Sequence, residues 1–171
     1  CHPDGGSQGG VAIVAAAAGQ VTQDALEDAT AKAVAIGLLY WRSNRVRRIC
    51  RSSEAAEILG ASDALSQLKY FRGILEELGI IVIARMVTDC NDFHEVVHSL
   101  VPKVREPHLK KDCNMIREAI SLGDIEGLWW TPRHRQLGDG LSKPSTAGRT
   151  MVRQAMQGIW TVGGETYRHA A

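Results

Sequence analysis

Ile80-Ile81-Val82-Ile83-Ala84-Arg85-Met86-Val87-Thr88-Asp89 is the stretch that decides the fold. Its run of apolar, mostly β-branched residues predicts a central strand over residues 80–87, buried on both faces as parallel strands are, with Asp89 at its end. Upstream, Ala55, Ile58, Leu59, Leu65, Leu68, Phe71, Leu75 and Leu78 recur at helical spacing. They predict one long helix over residues 54–78, capped by Ser52 or Ser53 and stopped by Gly79. Downstream, residues 92–101 and 106–122 read as helices ended by Pro102 and Gly123, and residues 125–131 as a strand. Residues 136–141 form a short helical turn and residues 149–156 a last helix. Towards the N-terminus, residues 11–17 read as a short strand and residues 20–35 as either an exposed helix or a long loop. Residues 38–42 and 46–50 read as two strands joined by a turn at Ser43-Asn44-Arg45. The order describes an α/β domain, a mixed sheet with helices on both faces.

A chain of 171 residues is one domain by size, large enough for a real core. Its net charge of +1 neither points to a nucleic-acid partner nor excludes one, but Arg42, Arg45, Arg47, Arg48 and Arg51 crowd five cations into ten residues with no acid among them. These arginines could track a phosphate backbone, or equally guard a solvated edge strand. The four cysteines have no zinc-knuckle or redox spacing and read as reduced thiols of an intracellular protein. The apolar stretch 11–18 is too short to span a bilayer and lacks a basic leader, so neither a membrane span nor a signal peptide is expected. The chain starts at Cys1, which reads as a fragment of something longer.

Three acids stand in distinctive settings. Glu57 lies in the first turns of the long helix, Asp89 at the end of the apolar strand, and Asp139 in Gln136-Leu137-Gly138-Asp139-Gly140-Leu141-Ser142-Lys143. A strand-end carboxylate and two helix carboxylates can converge on a pair of hard metal ions, the arrangement of two-metal nucleases. Singly, each acid also has an ordinary explanation. A glutamate near a helix N-terminus is favoured by the macrodipole, and an aspartate before a helix is a common cap. Glu54 competes with Glu57 as the helix acid.

The residues around these acids carry a resemblance. Trp41-Arg42-Ser43, then Arg51-Ser52-Ser53 with Glu57 following Ala55-Ala56, is similar to the segment around the helix glutamate in ribonuclease H domains of copia-type retrotransposon Pol polyproteins. Thr88-Asp89 resembles the family's strand-end aspartate, and His108 with Ile116-Arg117-Glu118 resembles its next helix. Trp130-Thr131-Pro132 followed by the segment from Gln136 to Pro144 resembles the closing Gln-Leu-Ala-Asp-Ile-Leu-Thr-Lys-Pro, with Gly138 in place of an alanine. The likeness runs from about residue 7 to residue 147.

The resemblance implies a ribonuclease H-like fold and hydrolysis of the RNA strand of RNA–DNA hybrids with two Mg2+ (or Mn2+) ions. Glu57, Asp89 and Asp139 would be both catalytic residues and metal ligands. Arg42, Arg45, Arg47, Arg48 and Lys143 would bind nucleic acid, and the reverse transcriptase portion of the same polyprotein would be a partner. The expected location is intracellular, in cytoplasmic particles or the nucleus. The family's first aspartate lies on a strand preceding the glycine-rich loop that residues 5–10 resemble, and only four residues precede that loop here. The expected organisation is therefore a ribonuclease H-like domain over residues 1–147 lacking its first strand, weak or inactive as this piece, and a C-terminal helix and tail over 148–171.

Two other readings stand beside it. His94-Glu95-Val96-Val97-His98 satisfies the zinc-peptidase pattern H-E-x-x-H, with Glu118 as a possible third ligand. A non-catalytic module would keep hybrid affinity without the chemistry.

Overall fold

The computed structural model describes residues 8–45, 52–142 and 145–163, with six helices and five strands among them. They divide into two compact units. One runs from Arg45 to Trp129; the other joins Gln8–Asn44 to the chain from Trp130 onward. The architecture is mixed α/β, as expected. Arg47, Arg48 and Lys143 lie outside the described residues, as do Cys1 and Cys50.

The unit ending at Trp129 is built on α2 (Ser53–Glu77), β3 (Met86–Thr88), α3 (Asn91–His98) and α4 (Lys110–Ser121), with β4 (Leu128–Trp130) closing it. Ser52 caps α2, its Oγ accepting from the Ala55 amide at 3.1 Å, and Gly79 leaves the helix at φ 77°. One face of α2 contributes Ala55, Ile58, Leu59 and Leu65 to a core completed by Phe93, Leu109, Cys113, Ile116, Ile125 and Leu128. Full burial of side chains such as Ile58, Phe93 and Leu128 is worth roughly 1.5–3 kcal/mol each. α4 is preceded by a 3-10 turn, Pro107–Leu109, so the predicted helix over 106–122 begins as a tighter coil.

The apolar strand is where the expectation fails. Only Met86–Thr88 is strand, paired with β4 and continued by bonds from the Glu126 amide to the Ala84 carbonyl (2.8 Å) and from the Met86 amide to the Gly127 carbonyl (3.0 Å). Ala84, Met86 and Thr88 are buried, but Ile81 is 97% exposed and Ile83 58%. The β-branched run is thus extended chain for half its length. A sequence stretch suited to burial on two faces becomes a central strand only where a neighbour lies on each side, and the described residues supply one.

The other unit is a three-stranded sheet in the order β1 (Gln8–Ala16), β2 (Lys32–Arg45), β5 (Ile159–Val162), with α1 (Gln23–Glu27), α5 (Leu137–Ser142) and α6 (Thr146–Met156). The single mixed sheet expected from the sequence is therefore two sheets among the described residues. β2 and β5 pair antiparallel in the register Lys32↔Val162, Val34↔Trp160. Val34 and Ile36 point inward while Ala33 and Ala35 are exposed, the period-two pattern of a half-buried strand. Two expectations are corrected here. Ser43-Asn44-Arg45 is no turn, because β2 runs through it and Ser43 instead donates its hydroxyl to the Leu141 carbonyl at 2.6 Å. Nor is the chain after residue 147 a separate tail: α6 packs on α5, and β5 supplies an edge of the sheet, so residues up to Val162 belong to this unit.

Candidate functional site

Glu57 and Asp89 fall in the same unit, one on the second turn of α2 and the other just past β3. Both are half-buried. The Cys90 thiol beside Asp89 senses both. Burial, and then the carboxylates of Glu57, Asp92 and Asp89, push its pKa up to about 11, against a lowering hydrogen bond from the Phe93 backbone. The raised pKa keeps this thiol protonated near neutral pH, at a place where α2 packs against β3.

Glu54, the competing helix acid, faces elsewhere. It is 4% exposed and sits with its Oε2 3.6 Å from Arg105 Nε, while Arg105 also pairs with Asp92 at 2.9 Å. Burial raises the Glu54 pKa; Arg105 opposes this, and Asp92 and Glu106 add to it. The sign follows. A carboxyl whose folded pKa is raised contributes stability that is complete below the ordinary glutamate pKa and is lost as pH rises through the folded value. Glu54→Gln, a neutral mimic of the protonated acid, is expected to melt higher than wild type at pH 7–8. That advantage should shrink as pH falls to 4. Thermal melts across this range check it, and a pH-independent difference would show that Glu54 titrates normally.

Asp139 belongs to the other unit. Three close glycine contacts place its helix. A Cβ on Gly10 of β1 would stand 2.1 Å from the Gly138 carbonyl oxygen, and one on Gly138 would stand 2.7 Å from the Gly10 carbonyl oxygen. On the opposite side, a Cβ on Gly140 would stand 2.5 Å from the Gly148 carbonyl oxygen of α6. The glycines flanking Asp139 therefore let α5 lie against β1 and α6 with backbone touching backbone. Gly138-Asp139-Gly140 was the legible signal, since glycine inside a helical segment costs about 1 kcal/mol relative to alanine and calls for a packing reason. Gly10 and Gly148 gave no such signal. The Asp139 side chain is 18% exposed, and its Oδ2 lies 3.3 Å from Arg133 Nε.

The oxygen donors Glu57, Asp89 and Asp139 suit a hard divalent cation such as Mg2+. Among the described residues, however, no three His, Cys, Asp or Glu side chains come together as a metal-ligand group. The zinc-peptidase reading fares no better. The His94 and His98 rings do lie together, centroids 4.5 Å apart, but His98 Nε2 is 2.8 Å from the Leu128 carbonyl. A carbonyl only accepts, so that nitrogen carries a proton and is unavailable to zinc. Glu95 is exposed and accepts from Asn91 Nδ2 at 2.6 Å.

Of the basic residues, Arg42 is exposed near the end of β2, and Arg45 closes that strand. Trp130 is buried, whereas half-buried Trp129 lies under the Arg85 guanidinium at 4.4 Å, so the two indoles take opposite faces of β4 as strand geometry requires. Among the described residues no helix is long and apolar enough to cross a membrane.

Part of the chain is similar to a retrotransposon Pol polyprotein. That polyprotein is the retrovirus-related Pol polyprotein from transposon RE2 of Arabidopsis thaliana, 28% identical over 113 residues. That match covers 62% of this chain and 7% of the transposon protein, so the chain corresponds to a small part of its relative. No family model matches the chain. No solved structure matches it significantly.

Proposed function

We propose that this chain is a ribonuclease H-like domain of a retrotransposon Pol polyprotein that binds RNA–DNA hybrids, with hydrolysis of the RNA strand weak or absent in the chain as it stands. The observation that carries the reading is the placement of Glu57 and Asp89 in one unit, on a helix and just past a strand that pack against each other. The similarity to a Pol polyprotein agrees with it. Glu57, Asp89 and Asp139 are the acids of the reaction, and Mg2+ or Mn2+ is the cofactor their oxygens suit. Arg42 and Arg45, with Arg47, Arg48 and Lys143, serve the phosphate backbone. RNA is told from DNA through 2′-hydroxyl contacts in a wide, shallow groove. The reverse transcriptase portion of the polyprotein is the natural partner, and the setting is intracellular, in cytoplasmic particles or the nucleus.

The test is an end-labelled hybrid incubated with the full chain and Mn2+. Slow cleavage of the RNA strand is expected, falling to background in Asp89→Asn. Hybrid binding without cleavage in any divalent metal would leave the non-catalytic binding module. Neither binding nor cleavage would sink the proposal.

A further inference from the structure

α6 carries two arginines that the fold does not use. Gly148 and Ala155 of this helix are buried, Gly148 against Gly140 of α5, and the helix also packs on β5. Arg149 and Arg153, one helical turn apart, are exposed. Elsewhere in the chain, Arg72, Arg85 and Arg105 each meet a carboxylate. Arg149 and Arg153 form no ion pair and no side-chain hydrogen bond with any described residue. Nor does the neighbouring sequence offer them an acid: residues 140–164 contain Lys143, Arg149 and Arg153 but no Asp or Glu. Two guanidinium groups without a carboxylate, on a stretch without acids, make a surface that attracts anions.

We infer that Arg149 and Arg153 form a contact surface for the phosphate backbone of a nucleic-acid duplex, in addition to the arginines at the end of β2. Four residues at a rise of 1.5 Å separate the two by about 6 Å along the helix axis. That is close to the roughly 7 Å of two nucleotide steps in one strand, so each guanidinium can take its own phosphate. A lipid surface fits less well. A helix lying on a membrane needs an apolar face to insert, and the apolar side of α6 is spent on α5 and β5. Phosphate contacts position a duplex without reading its sugars or bases, so these arginines add affinity for a hybrid and for a DNA duplex alike. The inference rests on the reading of this chain as a nucleic-acid-binding domain and locates part of its grip on the backbone.

Fluorescence anisotropy of the full chain with a labelled RNA–DNA hybrid and the matching DNA duplex, repeated over a series of salt concentrations, tests this. The double variant Arg149→Ala/Arg153→Ala is expected to bind both duplexes more weakly. It should also flatten the plot of log affinity against log salt concentration by about 2 in slope, about 1 for each lost phosphate contact. Arg149→Lys/Arg153→Lys keeps both charges and should stay near the wild-type slope. Lys110→Ala/Lys111→Ala removes the same charge from the exposed start of α4 in the other unit, and should flatten the plot by clearly less. Circular dichroism melts check that the variants are folded, as expected for side chains with no partner to lose. A slope unchanged in the arginine variant, or changed no more than in the lysine variant, would overturn the inference while leaving duplex binding by the chain intact. Binding to phosphatidylserine vesicles that depends on the two arginines, with duplex binding unaffected by them, would make this a membrane surface and overturn it as well. If the wild-type chain bound neither duplex, the proposed function would fail and the inference with it.

Discussion

Gly10→Ala is expected to lose about 3 kcal/mol of stability, the upper part of the usual range for overpacking. The added methyl would stand 2.1 Å from the Gly138 carbonyl oxygen and 2.9 Å from Leu141 Cβ. The first obstacle is backbone, which cannot step aside as a side-chain end can, so β1 and α5 must separate. Hydrogen exchange should then show lost protection in peptides covering Gln8–Ala16 and Leu137–Ser142. Gly37→Ala in β2 is the control: a Cβ there meets nothing within 4 Å, and its effect should stay within about 0.5 kcal/mol. Equal effects of the two substitutions would show that the close approach of β1 and α5 does not hold Asp139 in place.

The second large effect is expected at Arg117. From α4 its Nη1 reaches the carbonyls of Val96 (3.2 Å), Val97 (2.7 Å) and Ser99 (2.6 Å), the unsatisfied C-terminal end of α3. A cation there also meets the negative end of the helix dipole. Arg117→Ala leaves these carbonyls without their charged donor and is expected to cost about 2–3 kcal/mol. For a chain of this size that lowers the melting temperature by roughly 2–4 °C for each kcal/mol. Arg117→Lys should recover part of the loss, since it restores the charge but not the breadth of the guanidinium. An unchanged melt for Arg117→Ala would show that water satisfies those carbonyls equally well.

How far the sequence could be read depended on whether the deciding interaction was local. Ser52 and Gly79 mark the ends of α2 because a cap hydroxyl and a left-handed glycine act within a turn of where they stand. The α2 core face was legible for the same reason. By contrast, β5 went unread: Ile159–Val162 is four residues long, and its strand character comes from pairing with Lys32–Ala35, more than a hundred residues away. The same non-locality explains the error at residues 80–83, where the composition of a two-sided strand is present and the second neighbour is not among the described residues. Glu57 and Asp89 could be singled out as candidates from their local settings. Arg133 could not, since nothing in Pro132-Arg133-His134-Arg135 reveals that one arginine ties down Gly163 while another turns back on Asp139.

The proposed function implies a preference for an RNA–DNA hybrid over a DNA duplex. It is tested most directly by fluorescence anisotropy with the full chain titrated into an RNA–DNA hybrid and into a DNA duplex of the same sequence, at one fixed salt concentration because phosphate contacts are salt-dependent. The account predicts tighter binding of the hybrid, with the difference retained in Asp89→Asn. Equal affinity for the two duplexes, or no binding to either, would contradict it.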